Sequence, residues 1–171
     1  MGNILYTFKK ASVSEDGKYR WWLKRSWSEG YYTCCFIMLN PSTADGINDD
    51  PTIRRCVGFA HSWGCKRLVV VNLFAYRATD PRHLLLAHNP VGGAIAEVNL
   101  RAACIQANML VAAWGAYIPF FATRPTRDQQ VMAMIKEDFP EKELVCLGTT
   151  KNGNPRHPLY VKSSQPLIPY P

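Results

Sequence analysis

Apolar and polar residues alternate over residues 4–9 and again over 18–27, on either side of Ser14-Glu15-Asp16-Gly17. A period of two flanking a turn predicts an N-terminal β-hairpin. Residues 31–39 form a continuous apolar run instead, the pattern of a strand buried on both faces. The run stops at Asn40-Pro41-Ser42, because proline has no N–H to give to a ladder. Asp50-Pro51 then offers an N-cap followed by proline at the first helical position. Ile53, Val57, Ala60 and Trp63 fall on one face of that helix, and Gly64 supplies its stop.

Further strands are expected over 67–72, 109–114 and 144–147. Between them, Asp80-Pro81 opens a short helix after the loop 73–80, and Asn89-Pro90-Val91-Gly92-Gly93 breaks it. A longer helix follows over about 94–108, and Thr123 to Pro125 lead into another that runs to about 138, ended by Phe139-Pro140. The last ten residues are Pro-rich and expected to be extended. Strands alternating with helices at this spacing imply βαβ units. The expected fold is α/β: a central, mainly parallel sheet with helices on both faces and an N-terminal β-hairpin, all in one domain over residues 1–171.

Composition narrows the class. A chain with 47% hydrophobic and 19% charged residues is globular rather than disordered. No apolar run approaches a membrane span and the N-terminus lacks the order of a signal peptide, so a cytoplasmic protein is expected. Cys34, Cys35, Cys56, Cys65, Cys104 and Cys146 form no Cys-x-x-Cys, so no metal is expected. There is no Gly-x-Gly-x-x-Gly and no P-loop, so no dinucleotide or other cofactor is expected. The net charge of +7 serves solubility in its plainest reading. Yet Arg54, Arg55, Arg77, Arg82, Arg124, Arg127 and Arg156 fall mostly in or beside the loops, which favours phosphate and hence nucleic acid as partner.

Four strands each lead into a marked residue or pair: Asn40, Asn72, Trp114-Gly115 and His157. Singly, each Asn reads as a turn residue bonding its own backbone, and His157 as a surface histidine. Together they would stand on one edge of the sheet, the carboxyl edge, where open α/β sheets bind ligands.

Over residues 19–162 the chain resembles a bacterial and phage family described as a domain of unknown function. The resemblance rests on Leu-Asn-Pro-Ser-Thr-Ala-Asp (39–45), Asp-Asp-Pro-Thr-Ile-Arg-Arg (49–55), Val-Asn-Leu-Phe-Ala-Tyr-Arg (71–77) and Pro-Arg-His-Pro-Leu-Tyr (155–160). More distantly, the order of loops resembles the uracil-DNA glycosylase superfamily, in its mismatch-specific branch. Leu39-Asn40-Pro41 is similar to that branch's first motif, Val71-Asn72 to the strand whose Asn reads the flipped base, and His157-Pro158 to its second motif. Two positions depart from it: Leu159 replaces the usual Ser after His-Pro, and Met38 replaces the glycine before the first motif.

The resemblance implies hydrolysis of an N-glycosidic bond in DNA, probed by flipping the nucleotide out of the stack. It gives Asn40 the attacking water and His157 a hydrogen bond to the base O2. Asn72 has both a donor and an acceptor for a pyrimidine edge. Asp45, in the same loop as Asn40, is a candidate base, or else a loop cap. Phe74 or Tyr76 would stack on the base, with a core role as the alternative for Phe74. Leu159 or Tyr160 would fill the gap left in the duplex. Arg77, Lys151 and Arg156 would contact phosphates, although Lys151 could instead be a nucleophile. Ser42 stands where strict uracil enzymes carry a tyrosine, so the pocket would open toward C5. That opening would admit thymine or a bulky 5-substituted pyrimidine, such as the glycosylated hydroxymethylcytosine of some phages, in repair or in phage defence. The expected protein is a monofunctional, monomeric DNA glycosylase acting on double-stranded DNA. The competing readings are a non-catalytic binder of modified or damaged DNA and a hydrolase of free nucleosides or nucleotides.

Overall fold

The computed structural model describes residues 4–116 and 125–171; Thr123 and Arg124 lie outside the described residues. The strands are β1 (Tyr6–Val13), β2 (Arg20–Trp27), β3 (Tyr32–Met38), β4 (Cys65–Asn72), β5 (Met109–Ala112), β6 (Leu144–Cys146) and β7 (Ile168–Pro169), and the helices α1 (Pro51–Ser62), α2 (Gly93–Gln106) and α3 (Arg127–Asp138). The strands form one sheet in the order β1-β2-β4-β3-β5-β6-β7.

Its centre, β4-β3-β5-β6, is parallel. The flanks are antiparallel: β1 on β2, β2 on β4, and β7 on β6. The sheet is therefore mixed rather than mainly parallel. The hairpin does not stand apart but joins the sheet through β2, pairing Leu23 with Val70 and Arg25 with Leu68. The tail expected to be merely extended closes the other edge, where a strand ending in Pro169 is tolerated.

Period-two alternation sorts the central strands onto two cores. Cys34, Phe36 and Met38 of β3, with Leu68 and Val70 of β4, pack under Ile53, Val57 and Ala60 of α1. Cys35 and Ile37, with Val69 and Val71, pack under Leu100 and Ala103 of α2 and Val131 and Ile135 of α3. All six cysteines are buried and unbridged, acting as small apolar residues.

Several boundaries move for local reasons. The segment opened by Asp80-Pro81 is a 3-10 turn over Pro81–Leu86, capped by the Asp80 carboxylate on the Arg82 N–H. The third helix starts at Arg127 because Thr126 and Gln129 form a capping box. Strand β5 pairs only as far as Ala112, although the Ala113 N–H still donates to Ile37 O at 2.9 Å. No helix among the described residues is long and apolar enough to cross a membrane.

The order β4-β3-β5 means that the chain leaves β3 to one side and returns on the other. Such a reversal opens a crevice at the carboxyl ends of the strands. Residues 39–42, 73–78, 113–116 and 147–160 all continue from that edge.

Candidate active site

Asn72 closes β4 in register with Met38, the last residue of β3. Beyond that pair the two chains stay zipped: Leu73 N–H donates to Met38 O at 2.8 Å, Phe74 N–H to Leu39 O at 2.9 Å, and Ala78 N–H to Pro41 O at 2.9 Å. The Asn40 side chain finishes the seam, its Nδ2 donating to Ala78 O at 2.7 Å and Pro41 O at 2.9 Å. Its amide nitrogen is thus committed to the backbone. Its Oδ1 accepts no hydrogen bond from the described residues.

Three arginines hold the carbonyls of the 39–49 loop from behind. Arg77 Nε donates to Ser42 O at 3.2 Å, Arg20 Nη1 to Ala44 O at 2.9 Å, and Arg25 Nη2 to Asp45 O at 2.6 Å. A loop tied at so many carbonyls is preorganised.

A cavity of about 530 Å³ opens over this edge, within the usual range of small-ligand sites, about 300–1,000 Å³. Met38, Leu39, Ile53 and Trp114 give it apolar walls; Asn40, Ser42, Asp50, Asn72, Arg156 and His157 bring polar groups to it. Asn72 is 8% exposed, and neither its Oδ1 nor its Nδ2 finds a partner among the described residues. Buried amides are almost always satisfied. One that the protein leaves unpaired on the wall of a cavity offers its donor and acceptor to water or to a ligand there.

His157 sits at the start of a 3-10 turn, Pro158–Tyr160, that Arg55 pins to α1 by bonds to Pro158 O and Val161 O. The Leu159 N–H donates to His157 Nδ1 at 3.3 Å, which places the ring's proton on Nε2. Burial lowers the His157 pKa below its ordinary value, and the Asp50 charge opposes that shift. The imidazole is therefore neutral at pH 7, with an N–H to give. Gly115 turns the chain at φ +83°, a conformation that favours glycine, and a Cβ there would stand in ordinary contact, 3.4 Å, with the His157 Cβ.

The structure thus brings Asn40, Ser42, Asn72, Arg156, His157, Leu159 and Tyr160 together around one cavity. Five other candidates are elsewhere. Asp45 caps its own loop, accepting from the Ile47 and Asn48 N–H groups at 2.7 Å each, and these bonds hold its pKa below the usual carboxylate range. Phe74 is 1% exposed in the core under α2 and α3. Tyr76 packs edge-on against Tyr19 at 5.6 Å. Arg77 spends its guanidinium on Ser42 O and Gly17 O. Lys151 is exposed at the tip of a tight hairpin closed by Thr149 and Pro155.

The residues missed are equally clear. Asp50 supplies the cavity's carboxylate: its Oδ1 accepts from Ile53 N–H at 2.8 Å and its Oδ2 from Ala44 N–H at 3.3 Å. Its sequence signal, Asp-Pro before a helix, is that of a cap, and a cap is also what it is. Trp114, marked at this edge by the sequence but given no role there, is 2% exposed, its Nε1 has no partner among the described residues, and it is the buried aromatic residue lining the cavity, where Phe74 and Tyr76 do not reach. Arg20 gave no signal, since a lone arginine in an alternating strand reads as solvent-facing. Among the described residues no group of three or more His, Cys, Asp or Glu side chains could hold a metal ion.

The profile of a family described as "Protein of unknown function (DUF1643)" matches residues 20–159. No curated protein and no solved structure matches the chain.

Proposed function

The chain belongs to the DUF1643 family, and from the site just described we propose that it is an N-glycosidase that removes a pyrimidine from a flipped-out nucleotide in DNA. The observation that carries the reading is Asn72, whose amide presents an unpartnered donor and acceptor to the cavity. A pyrimidine edge offers the complementary pair.

Breaking the bond sends its electron pair to the base and leaves cationic character on the sugar. Water then adds at C1′, and the proton it gives up ends on the departed base anion, so that sugar hydroxyl and neutral base are the products. The neutral His157 donates from Nε2 to the base oxygen as negative charge builds, without holding a charge of its own beforehand. Asn40, fixed through Nδ2, orients the water with Oδ1. The Asp50 carboxylate faces the sugar's positive charge; bonded to the Ile53 N–H in the first turn of α1 and to the Ala44 N–H of the 39–49 loop, it is a better counter-charge than base. Trp114 supplies the flat apolar wall for the ring. Ser42 leaves space where a tyrosine would close the pocket, which supports a 5-substituted pyrimidine as substrate and, with it, a role against modified phage DNA. The likeness to uracil-DNA glycosylases in fold belongs to this proposal.

One observation favours a second reading, hydrolysis of free nucleotides. Arginines expected at phosphates are used internally: Arg55 on the 3-10 turn, Arg77 on the loop, and Arg127 on Leu73 O and Glu97. The test incubates the protein with duplexes bearing uracil, thymine mismatches or 5-substituted cytosines, and with hypermodified phage DNA, followed by hot alkali. Breaks that need alkali and vanish in His157→Ala support the glycosylase. Salt-sensitive binding without breaks leaves a DNA-binding module, and release of base from free nucleotides alone selects the second reading.

A further inference from the structure

Strand β2 carries two buried arginines with different surroundings. Arg25 is 0% exposed and its charge is answered: its Nε donates to Asp49 Oδ1 at 2.7 Å, and the carbonyls of Lys10, Lys24, Asp45 and Asn48 take its other N–H groups. Arg20 is 3% exposed, yet among the described residues its guanidinium makes one bond, from Nη1 to Ala44 O. Its Nε is buried without a partner. No carboxylate pairs with it among the described residues. Desolvating a guanidinium without a bonded counter-ion is expensive, and a desolvated ionisable group in a cleft is a candidate for a ligand site.

Arg20 borders the cavity, as do Thr52 in the first turn of α1 and Arg156. The start of that 12-residue helix adds partial positive charge. Asp50 is the one carboxylate among the lining residues, and both its oxygens are held by backbone N–H groups. Burial lowers the Arg20 pKa to about 10 against the raising effect of Asp50, so the group remains cationic at neutral pH.

We infer that the cavity contains an anion seat in which Arg20 receives a phosphate or carboxylate group carried by the ligand. The choice of ligands rests on the proposed function, the seat itself on Arg20 alone. The anion has two available sources: the 5′-phosphate of a nucleotide, or an acidic substituent on the pyrimidine.

Calorimetry on the full chain compares deoxyuridine 5′-monophosphate with deoxyuridine, and 5-carboxyuracil with thymine. At least one anionic probe is expected to bind about tenfold or more tightly than its neutral counterpart, as charge-assisted bonds do. The preferred pair identifies the source. The preference is expected to vanish in Arg20→Gln and to persist in Arg156→Gln. Because Arg20→Gln also loses the bond to Ala44 O, the Arg20 Nε–H resonance of the unaltered protein gives a second reading, and it is expected to shift with the anionic probe and not with the neutral one. Equal binding of both members of each pair, no binding by either anion, or an unmoved Nε–H resonance overturns the seat. Turnover is scored separately: base release without anion preference removes the seat and leaves the glycosidase, and anion preference without base release does the reverse.

Discussion

Arg25 Nε donates to Asp49 Oδ1 at 2.7 Å, with the arginine side chain 0% and the aspartate side chain 8% exposed. Tyr6 adds its hydroxyl to the other oxygen, Oδ2, at 2.6 Å, and burial together with the carboxylate holds that phenol protonated, its pKa well above the usual value. The pair joins the hairpin to the end of the 39–49 loop, and Arg25 also holds Asp45 O and Asn48 O there. Removing one member leaves the other charged and buried.

Asp49→Ala is therefore expected to lower the unfolding free energy by about 3 kcal/mol, the size found when one partner of a buried ion pair is lost. Urea denaturation at neutral pH measures it. A loss below about 1 kcal/mol, the value of an exposed pair, would show that the backbone bonds hold the loop unaided.

Asn72 predicts the opposite sign. Its amide is buried without a partner among the described residues, a situation that costs about 1–3 kcal/mol when nothing compensates. Water entering the cavity returns part of that, so Asn72→Val, which also suits a strand end, is expected to stabilise the fold by up to about 1 kcal/mol. Base release should fall by roughly a hundredfold or more, since a site built to bond a polar edge loses its reader. Thermal unfolding and turnover are measured on the same sample. A variant both less stable and fully active would mean that Asn72 serves the fold.

These two residues also mark what the sequence could and could not reveal. Asn72 and Asn40 were legible because each ends an apolar run, and strand ends in a parallel sheet share an edge. The apolar runs that placed them also predicted the central strands, and period-two alternation predicted the hairpin. It could not show that β2 pairs with β4 and makes the sheet mixed, because pairing partners leave no local pattern. Nor could it separate arginines at phosphates from arginines at carbonyls: Arg77 and Arg55 read as loop charges and prove to be loop clamps. Asp45 and Asp50 are alike in sequence, each opening a turn with capping chemistry. Only the course of the loop decides which carboxylate reaches the cavity.

His157 gives a pH dependence with a definite sign. Burial lowers its native pKa below the ordinary 6.5, against the pull of Asp50, so the unfolded chain binds the proton more tightly than the folded one. Stability contributed by the neutral ring is complete above about pH 6.5, falls as pH drops through that value, and levels off below the native pKa. Turnover should fall over the lower part of the same window, because a proton on Nδ1 would face the Leu159 N–H. Urea unfolding from pH 7.5 to 5 is expected to show a steeper loss in the unaltered protein than in His157→Gln. Parallel profiles would mean that His157 titrates alike folded and unfolded.

Ser42 tests substrate size. It lines the cavity, and its Oγ approaches Thr79 Oγ1 at 3.4 Å, across from the loop after β4. Ser42→Tyr fills that space and is expected to abolish release of a bulky 5-substituted pyrimidine while sparing uracil. Competition assays with the two substrates in one tube read the ratio directly. Equal loss of both, or of neither, would move the substituent to another wall.

Leu159 and Tyr160 separate duplex DNA from a free nucleotide. They are 41% and 79% exposed at the cavity's mouth, on a turn that Arg55 fixes to α1. An apolar side chain so exposed and so firmly backed is suited to enter the gap a flipped nucleotide leaves, offsetting part of the few kcal/mol that unstacking costs. Leu159→Ala is expected to slow base release from duplex DNA by about tenfold, the equivalent of roughly 1.4 kcal/mol, and to leave release from a single strand unchanged. The contrast matters because a wedge acts when there is a stack to hold open. Equal slowing on both substrates would make Leu159 a wall of the pocket. No slowing on either would remove the wedge and favour a small nucleotide as the natural substrate.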